Sequence, residues 1–356
     1  MALKLVEELA PAGYERLVYI EDEEAGLRAF VCIHSTACGP AVGGCRMWNY
    51  ATLDEARTDV LRLAAGMTHK NAMAGLGLGG GKSVILGDPR SDKTEALFRA
   101  FGQAIESFGG SYYTAEDVGI SPEDMAIVAK ETSYAVGLDD GAHASGDPSP
   151  FTAEGVFQCL KVGARAVFGT DDLTGRRVLV QGLGHVGWSL AEKLHAAGAQ
   201  LLVSDVNVQA VETARDTLGA EVCAPDEVFA QEMDIFAPCA LGGVLNRETV
   251  EQLTARLVCG AANNQLLEPS VAGDLLKRDC LYLPDYVVNA GGIISVASEV
   301  HRAGPEYRTE RLAQIASRVA QIIEISRKER MTTIAVADQM VAEILASAKG
   351  KVAEAV

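Results

Sequence analysis

The sequence predicts an α/β chain in two domains, an N-terminal α/β domain and a C-terminal doubly wound parallel sheet, with a cleft between them. Three observations carry this expectation. At 356 residues and 48% hydrophobic content the chain can bury two cores of ordinary size. Strand-like runs alternate with helical stretches along most of its length. Two glycine-rich signals stand far apart, one bearing lysines at 66–83 and one between a strand and a helix at 182–187. The domains read as 1–147 and 148–325, with C-terminal helices over 326–356 returning to the first domain.

The totals exclude several partners. A formal charge of −17 argues against nucleic acid and anionic membranes. The eight cysteines are scattered without a Cys-x-x-Cys pair, as expected of free thiols in a reducing compartment, and the six histidines show no metal spacing, so no metal is expected. Acids fall early in the N-terminal segment, where a signal peptide would need an apolar core, and no uncharged apolar run approaches the roughly 18 residues of a membrane span. A cytoplasmic protein is expected.

In chain order, residues 1–10 read as a short amphipathic helix. Arg16–Ile20 and Leu27–His34 are alternating strands joined by an acidic turn. Gly39–Trp48 is a glycine-punctuated loop or strand end. Residues 52–66 are a helix, with Thr52 as N-cap, Asp54 and Glu55 in the first turn, and Ala56, Val60, Leu63 and Ala64 on one face. In the following stretch Lys70 and Lys82 lie twelve positions apart, and Gly79-Gly80-Gly81 precedes the second. Glycine backbone lets a ligand or another chain come close. A lysine between such a run and the apolar Val84-Ile85-Leu86 is expected at a cleft floor. Partial desolvation and a second cation nearby would favour its neutral, basic form. A phosphate loop is excluded although Gly81-Lys82-Ser83 has its ending, because the glycine needed six positions before the lysine is Leu76.

Residues 92–108 form another helix, ended by Gly109-Gly110. Ser111–Ala115 is a strand running into Glu116-Asp117-Val118-Gly119, where an acid at a strand end can face a cleft or simply cap a turn. Residues 122–132 are a short helix, and 141–150 read as an interdomain hinge. Thr152–Phe168 is helical. Arg177–Gln181 is a buried strand, Gly182-Leu183-Gly184-His185-Val186-Gly187 fits G-x-G-x-x-G, Trp188–Ala197 is a helix, and the next strand ends in Asp205, 23 positions after Gly182. In that context the glycines mark a Rossmann-type dinucleotide site. The helix N-terminus holds the pyrophosphate and Asp205 accepts from the ribose hydroxyls, which favours NAD over NADP. Further strands are expected at 234–241, 257–264 and 281–292, and long helices at 307–327 and 332–349. Asn263 and Asn289, at strand ends, suit either a ligand or a turn cap.

Two classes of function fit these residues. One is a nicotinamide enzyme whose first domain brings lysines to the substrate. The other is a non-catalytic dinucleotide sensor, which has no need of paired lysines and Asp117 in a separate glycine-rich domain. A 2-hydroxy acid dehydrogenase would offer a His–acid pair as base, and none is apparent, although His69 and His143 lie in plausible places.

Several segments resemble the amino acid dehydrogenases, the family of glutamate, leucine, phenylalanine and valine dehydrogenases. They are Gly39–Gly44 with Arg46-Met47-Trp48, Gly66–Lys82, Thr114–Gly119, Pro148-Ser149-Pro150 with Thr152, and Pro284–Gly292. The resemblance spans nearly the whole chain and is greatest to the branched-chain and aromatic members, most of all to those acting on phenylalanine. It implies that Lys70 clamps the substrate α-carboxylate, that Lys82 is the catalytic base acting on water, and that Asp117 passes protons to and from the amine. Gly43, Gly44, Met67 and Asn289 would hold the substrate, with Val42, Ala115, Ile293 and Val296 around its side chain. Ser149, Thr152, Ala240, Leu241, Asn263 and Arg46 would meet the cofactor, as would the glycine loop, Asp205 and Val206. The implied reaction is reversible: amino acid, NAD+ and water give a 2-keto acid, ammonium and NADH. A homo-oligomer is implied as well.

Specificity follows from charge and size. Glutamate-type members place a lysine where Val42 stands and a hydroxyl where Val296 stands. With both apolar, a buried side-chain carboxylate would be unpaired at a cost of several kcal/mol. The substrate side chain is therefore expected to be apolar. Valine at 42, where leucine-type members carry leucine, leaves room for a ring and favours phenylalanine. Ala115 and Val296 match the leucine-type choice, which keeps leucine or valine as the alternative. One methylene discriminates by only about 1–3 kcal/mol.

Overall fold

A computed structural model describes residues 3–138 and 147–354. Residues 141–146 of the expected hinge, His143 among them, lie outside that range. The chain divides into two compact units, one drawn from 1–147, 293–307 and 341–356, the other from 148–292 and 308–340. Residues 293–307, expected in the second domain, thus belong to the first.

The first unit is built on a six-stranded mixed sheet. Its strands are β1 (Lys4–Glu8), β2 (Arg16–Asp22), β3 (Leu27–Ser35), β4 (Ala41–Trp48), β5 (Gly79–Leu86) and β6 (Tyr112–Glu116), in the order β1-β2-β3-β5-β4-β6. The last three are parallel to one another and the first three join antiparallel. Helix α1 (Leu53–Met73) packs on β5, while α2 (Glu95–Glu106) and α3 (Pro122–Val128) close the opposite core.

Three expectations fail here for tertiary reasons. The N-terminal segment is not a helix but the edge strand β1, which pairs from Lys4 opposite Glu21 to Glu8 opposite Leu17. Five residues hold too little periodicity to resist a sheet edge that offers them a backbone ladder. Residues 41–48, expected as a loop or strand end, form a full strand inside the sheet, and their glycines serve packing: a Cβ on Gly43 would stand 1.9 Å from the Gly81 carbonyl oxygen. Helix α1 does not stop at Gly66 but continues through Lys70. Thr52 caps its start, with its hydroxyl accepting from Glu55 N. Its C-terminal half lies over the glycines of β5, where a Cβ on Gly80 would be 2.1 Å from Thr68 N. What approaches that bare backbone is therefore a helix of the same unit. Buried Asn71 ties the layers, donating from Nδ2 to the carbonyls of Val42 at 3.3 Å and Gly79 at 2.5 Å.

The second unit opens with α4 (Ser149–Phe168), three residues earlier than expected. There follow β7 (Arg177–Gln181), α5 (His185–Ala196), β8 (Gln200–Ser204), α6 (Val208–Leu218), β9 (Glu221–Val222), β10 (Ile235–Pro238), α7 (Arg247–Gln252), β11 (Leu257–Val258), α8 (Val271–Lys277) and β12 (Leu281–Tyr282). The order β12-β11-β10-β7-β8-β9 with every pair parallel is the doubly wound arrangement, and its direction reverses between β7 and β10. Residues 281–292 are not one strand. β12 is two residues long, and α9 (Asp285–Val288) and α10 (Gly291–Val300) follow. Pro284 precedes the first of these helices, and Gly291 lies so close to α4 that a Cβ would be 2.5 Å from Thr152 N. Helices α11 (Pro305–Glu329) and α12 (Thr333–Glu354) complete the chain. Among the described residues no helix is long and apolar enough to cross a membrane.

Candidate active site

Strand alternation sorts the side chains of the first sheet. Ala41, Cys45 and Met47 of β4 and Ile85 of β5 enter the core shared with α2 and α3, whereas Val84 and Leu86 enter the core under α1. Arg46 and Lys82 carry the opposite and the matching phase, so both rise on the α1 face. Lys82 is 5% exposed, and its Nζ lies 2.6 Å from Oδ2 of Asp117, which follows β6. Nε of Arg46 lies 3.4 Å from the same oxygen.

Glycines make room for this pair. A Cβ on Gly44 would be 2.8 Å from the Asp117 Cβ, and Gly119, at φ +82°, brings its turn to within 2.1 Å of the Met47 carbonyl oxygen by the same measure. Met47 N donates to the Val118 carbonyl at 2.9 Å, stitching the acid-bearing turn to the end of β4. Behind the sheet, Tyr112 donates its hydroxyl to the Gly43 carbonyl at 3.0 Å and lies 3.1 Å from the Ser83 hydroxyl.

The electrostatics define the state of the acid. Burial alone would raise the Asp117 carboxyl, but the charges of Lys82 and then Arg46 outweigh it and hold it down at about 2. It is a carboxylate throughout the neutral range. Among the described residues, Asp117 Oδ2 and Arg46 Nε are both buried without an aligned hydrogen-bond partner. Charge holds them together, with the Lys82 ammonium 2.6 Å from the same carboxylate oxygen.

Arg46 is tied on its far side as well, its Nη1 donating to Oδ2 of Asp59 on α1 at 3.0 Å. Tyr50 donates to that oxygen at 2.8 Å, and Arg62 to Oδ1 at 2.9 Å. Burial would raise the Asp59 carboxyl, yet the bonds from Arg62 and Tyr50 and the Arg46 charge bring it below its ordinary value. Sequence reasoning missed Asp59 and Tyr50. Asp59 stands three residues before Arg62 and reads as half of a surface helix pair.

Lys70 is half-buried in the last turn of α1, and Met67 lies one turn before it, with its Cγ 3.1 Å from where a Gly43 Cβ would stand. Val42, Ala115 and Ile293 are buried and Val296 is half-buried, all in the first unit. Asn289 belongs to the second unit. His69 is half-buried, and neighbouring Thr68 has its hydroxyl 2.8 Å from Nδ1 of His34.

In the second unit the glycine turn sits at the reversal point of the sheet. Gly182, at φ +97°, approaches Ala240 beyond β10 so closely that a Cβ would be 2.7 Å from the alanine Cβ, and a Cβ on Gly187 would be 1.9 Å from the Gly182 carbonyl oxygen. Leu183 N donates to Asp205 Oδ2 at 2.6 Å and Asn207 N to Oδ1 at 2.7 Å. Gly184 and His185 are exposed at the start of α5, Val186 is half-buried, and Val206 and Leu241 are 87% and 80% exposed.

Asn289 is 6% exposed and donates from Nδ2 to Asn263 Oδ1 at 2.8 Å and to the Ala261 carbonyl at 3.1 Å, leaving its Oδ1 buried without a partner among the described residues. Thr152 donates its hydroxyl to the Pro148 carbonyl at 3.1 Å, and Ser149 opens the same helix. Asp285, which sequence reasoning did not single out, accepts from Asn264 N and from the Tyr282 hydroxyl, and so pins the turn that carries Asn263. Its position at the start of a short helix resembles an ordinary cap.

A doubly wound sheet with its glycine turn in one unit and a buried lysine–carboxylate pair in the other are the features expected of a dinucleotide-dependent enzyme. Residues 15–134 match the model for the Glu/Leu/Phe/Val dehydrogenase dimerisation domain, and residues 203–355 match that for the Glutamate/Leucine/Phenylalanine/Valine dehydrogenase domain. The chain is 46% identical to a leucine dehydrogenase of Bacillus cereus over 98% of its own length and 95% of the relative's. It is 43% identical to a phenylalanine dehydrogenase of Bacillus thermotolerans over 92% of its length and 87% of the relative's. A solved L-tryptophan dehydrogenase from Nostoc punctiforme superposes with a TM-score of 0.83 at 37% identity, covering 95% of this chain and 97% of that one. The chain belongs to the glutamate/leucine/phenylalanine/valine dehydrogenase family. It is an amino acid dehydrogenase, and its cofactor is NAD.

The residues present fit that cofactor. The close approach of Gly182, Gly187 and Ala240 leaves a turn that side chains would fill, and nothing stands within 4 Å of where a Gly184 Cβ would lie. Each Asp205 oxygen accepts one backbone N–H and keeps lone pairs for hydroxyl donors.

Proposed function

We propose that the protein catalyses the reversible oxidative deamination of an apolar L-amino acid, most readily L-phenylalanine, with leucine or valine as the alternative. The observation that carries the reaction is the 2.6 Å pairing of Lys82 with Asp117 on the α1 face of the first sheet. In this reading Lys70 binds the α-carboxylate, and the backbone at Gly43 and Gly44 orients the substrate. The Asp117 carboxylate, ionised at working pH, takes a proton from the substrate ammonium. Lys82 holds the water oxygen and moves its proton as the imine is hydrated to a carbinolamine, and it steadies the oxygen as ammonia leaves. NAD, when bound, supplies the acceptor for hydride from the α-carbon. Gly182, Leu183, Gly184, His185, Val186 and Gly187 would hold its pyrophosphate, and Asp205 its ribose. Val206 and Leu241 offer exposed apolar surface to the adenosine end, and Ser149, Thr152, Ala240 and Asn263 would orient the nicotinamide end.

Val42, fully buried and itself uncharged, supports a neutral side chain in the substrate. The choice within the apolar class rests on size alone. Valine at 42 favours a ring, while Ala115 and Val296 favour leucine or valine. A homo-oligomer is part of the same reading, supported by the dimerisation-domain match. The test is NADH formation with L-phenylalanine, L-leucine, L-valine and L-glutamate at equal concentration. An apolar substrate should exceed glutamate in kcat/KM by at least about a hundredfold, the scale set by a buried unpaired carboxylate. Preference for glutamate would overturn the apolar reading.

A further inference from the structure

We propose that Asp59 and Arg46 are positioning residues for the reaction: Asp59, fixed on α1, aims the Arg46 guanidinium, and Arg46 holds the Asp117 carboxylate on Lys82. This rests on the reading of Lys82 and Asp117 as the reacting pair and adds the structure that orients it.

The geometry is a chain of alternating charges. Lys82 meets Asp117 at 2.6 Å, Asp117 meets Arg46 at 3.4 Å, Arg46 meets Asp59 at 3.0 Å, and Asp59 meets Arg62 at 2.9 Å. Its inner members are enclosed, with Arg46 and Asp59 side chains 22% and 16% exposed, whereas Arg62 at its outer end is 58% exposed. Exposed ion pairs hold little, but an enclosed arginine between two carboxylates is different. Its rigid guanidinium plane places Nη1 in a hydrogen bond to Asp59 and Nε at ion-pair distance from Asp117, so one planar group spans both acids. Tyr50 braces Asp59 from the side at 2.8 Å, so the anchor does not depend on Arg62 alone. Lysine in place of Arg46 has a single compact ammonium and no rigid plane to hold the two acids at a set separation. With Nη1 bonded to Asp59 and Nε at ion-pair distance from Asp117, both in its own unit, Arg46 is better placed to orient Asp117 than to contact NAD, the role the family resemblance suggested.

The test uses the full-length enzyme and the variants Arg46→Ala, Arg46→Lys and Asp59→Asn. Steady-state kinetics are measured with the best apolar amino acid, and NADH affinity by fluorescence titration. Arg46→Ala should lower kcat about a hundredfold, as expected for a reacting group displaced by roughly 1 Å, while KM for the amino acid stays within about threefold. Arg46→Lys should recover less than about a tenth of the loss, because the fork is absent. Ethylguanidinium at tens of millimolar should restore Arg46→Ala by about tenfold or more, a result that mere loss of stability would not give. Asp59→Asn should lower kcat by about tenfold, and NADH affinity should be unchanged in all three.

Weakened NADH binding by Arg46→Ala with kcat intact at saturating cofactor would overturn the proposal in favour of cofactor contact. Wild-type kcat in Asp59→Asn would overturn it as well, and that variant carries the test if Arg46→Ala does not fold. Neither result touches the assignment of Lys82 and Asp117, which fails only if those residues themselves prove dispensable.

Discussion

Asp117 shows how one residue couples stability to chemistry. Its carboxyl sits at about 2 in the folded chain against an ordinary 3.8, so the folded state binds the proton less readily than the unfolded one. The stabilisation this gives is present in full above the unfolded value and is lost as pH falls through the folded one. It amounts to about 2 kcal/mol and fades between about pH 4 and pH 2. Urea unfolding followed over that range should show stability falling with acid in the parent, and a flatter dependence in Asp117→Asn. An equal slope in both would contradict the charge assignment. At this scale much of the site was readable: a lysine after three glycines and an acid at a strand end before a glycine both signalled a buried station. Asp59 was not, because spacing to Arg62 says nothing of an arginine reaching across from β4. Asn289 was read as a strand-end amide, whereas it lies between α9 and α10, its oxygen buried without a partner among the described residues.

Elements carry a different lesson. Helix α1 comes down onto β5 because Gly80 has no side chain, and the atom in its way would be backbone. Gly80→Ala should therefore destabilise by about 3 kcal/mol, the upper end for overpacking. Gly66, exposed in the same helix with open space where its Cβ would lie, is the matched control. Gly66→Ala should be neutral or stabilise by up to about 1 kcal/mol. The midpoints of urea unfolding check both, and a harmless Gly80→Ala would contradict the packing account. The unit from β7 through β8 was legible because periodicity, glycine turn and terminal acid agree. Strands β1 and β4 and the corner at 284–292 were not. A five-residue edge strand, glycines in a central strand, and short helices after a proline take their form from neighbours distant in sequence.

At the scale of the whole molecule the work divides between the two units. Lys82 and Asp117 belong to the first, and Gly182 and Asp205 to the second. Part of the expected C-terminal return is found, in 341–356, but 293–307 was read with the second domain, since helical periodicity tells which face is buried but not against what. This division predicts opposite kinetic signatures. Asp205→Ala should raise the KM for NAD by about tenfold or more and leave kcat within about threefold, because it removes an acceptor and loosens the Leu183 N–H while leaving Lys82 and Asp117 untouched. The most direct measurement of the central claim is Lys82→Ala, assayed for NADH formation with an apolar amino acid and for NADH binding by fluorescence. The account predicts turnover lower by at least about a thousandfold with NADH affinity unchanged. Substantial turnover without the Lys82 ammonium would contradict it.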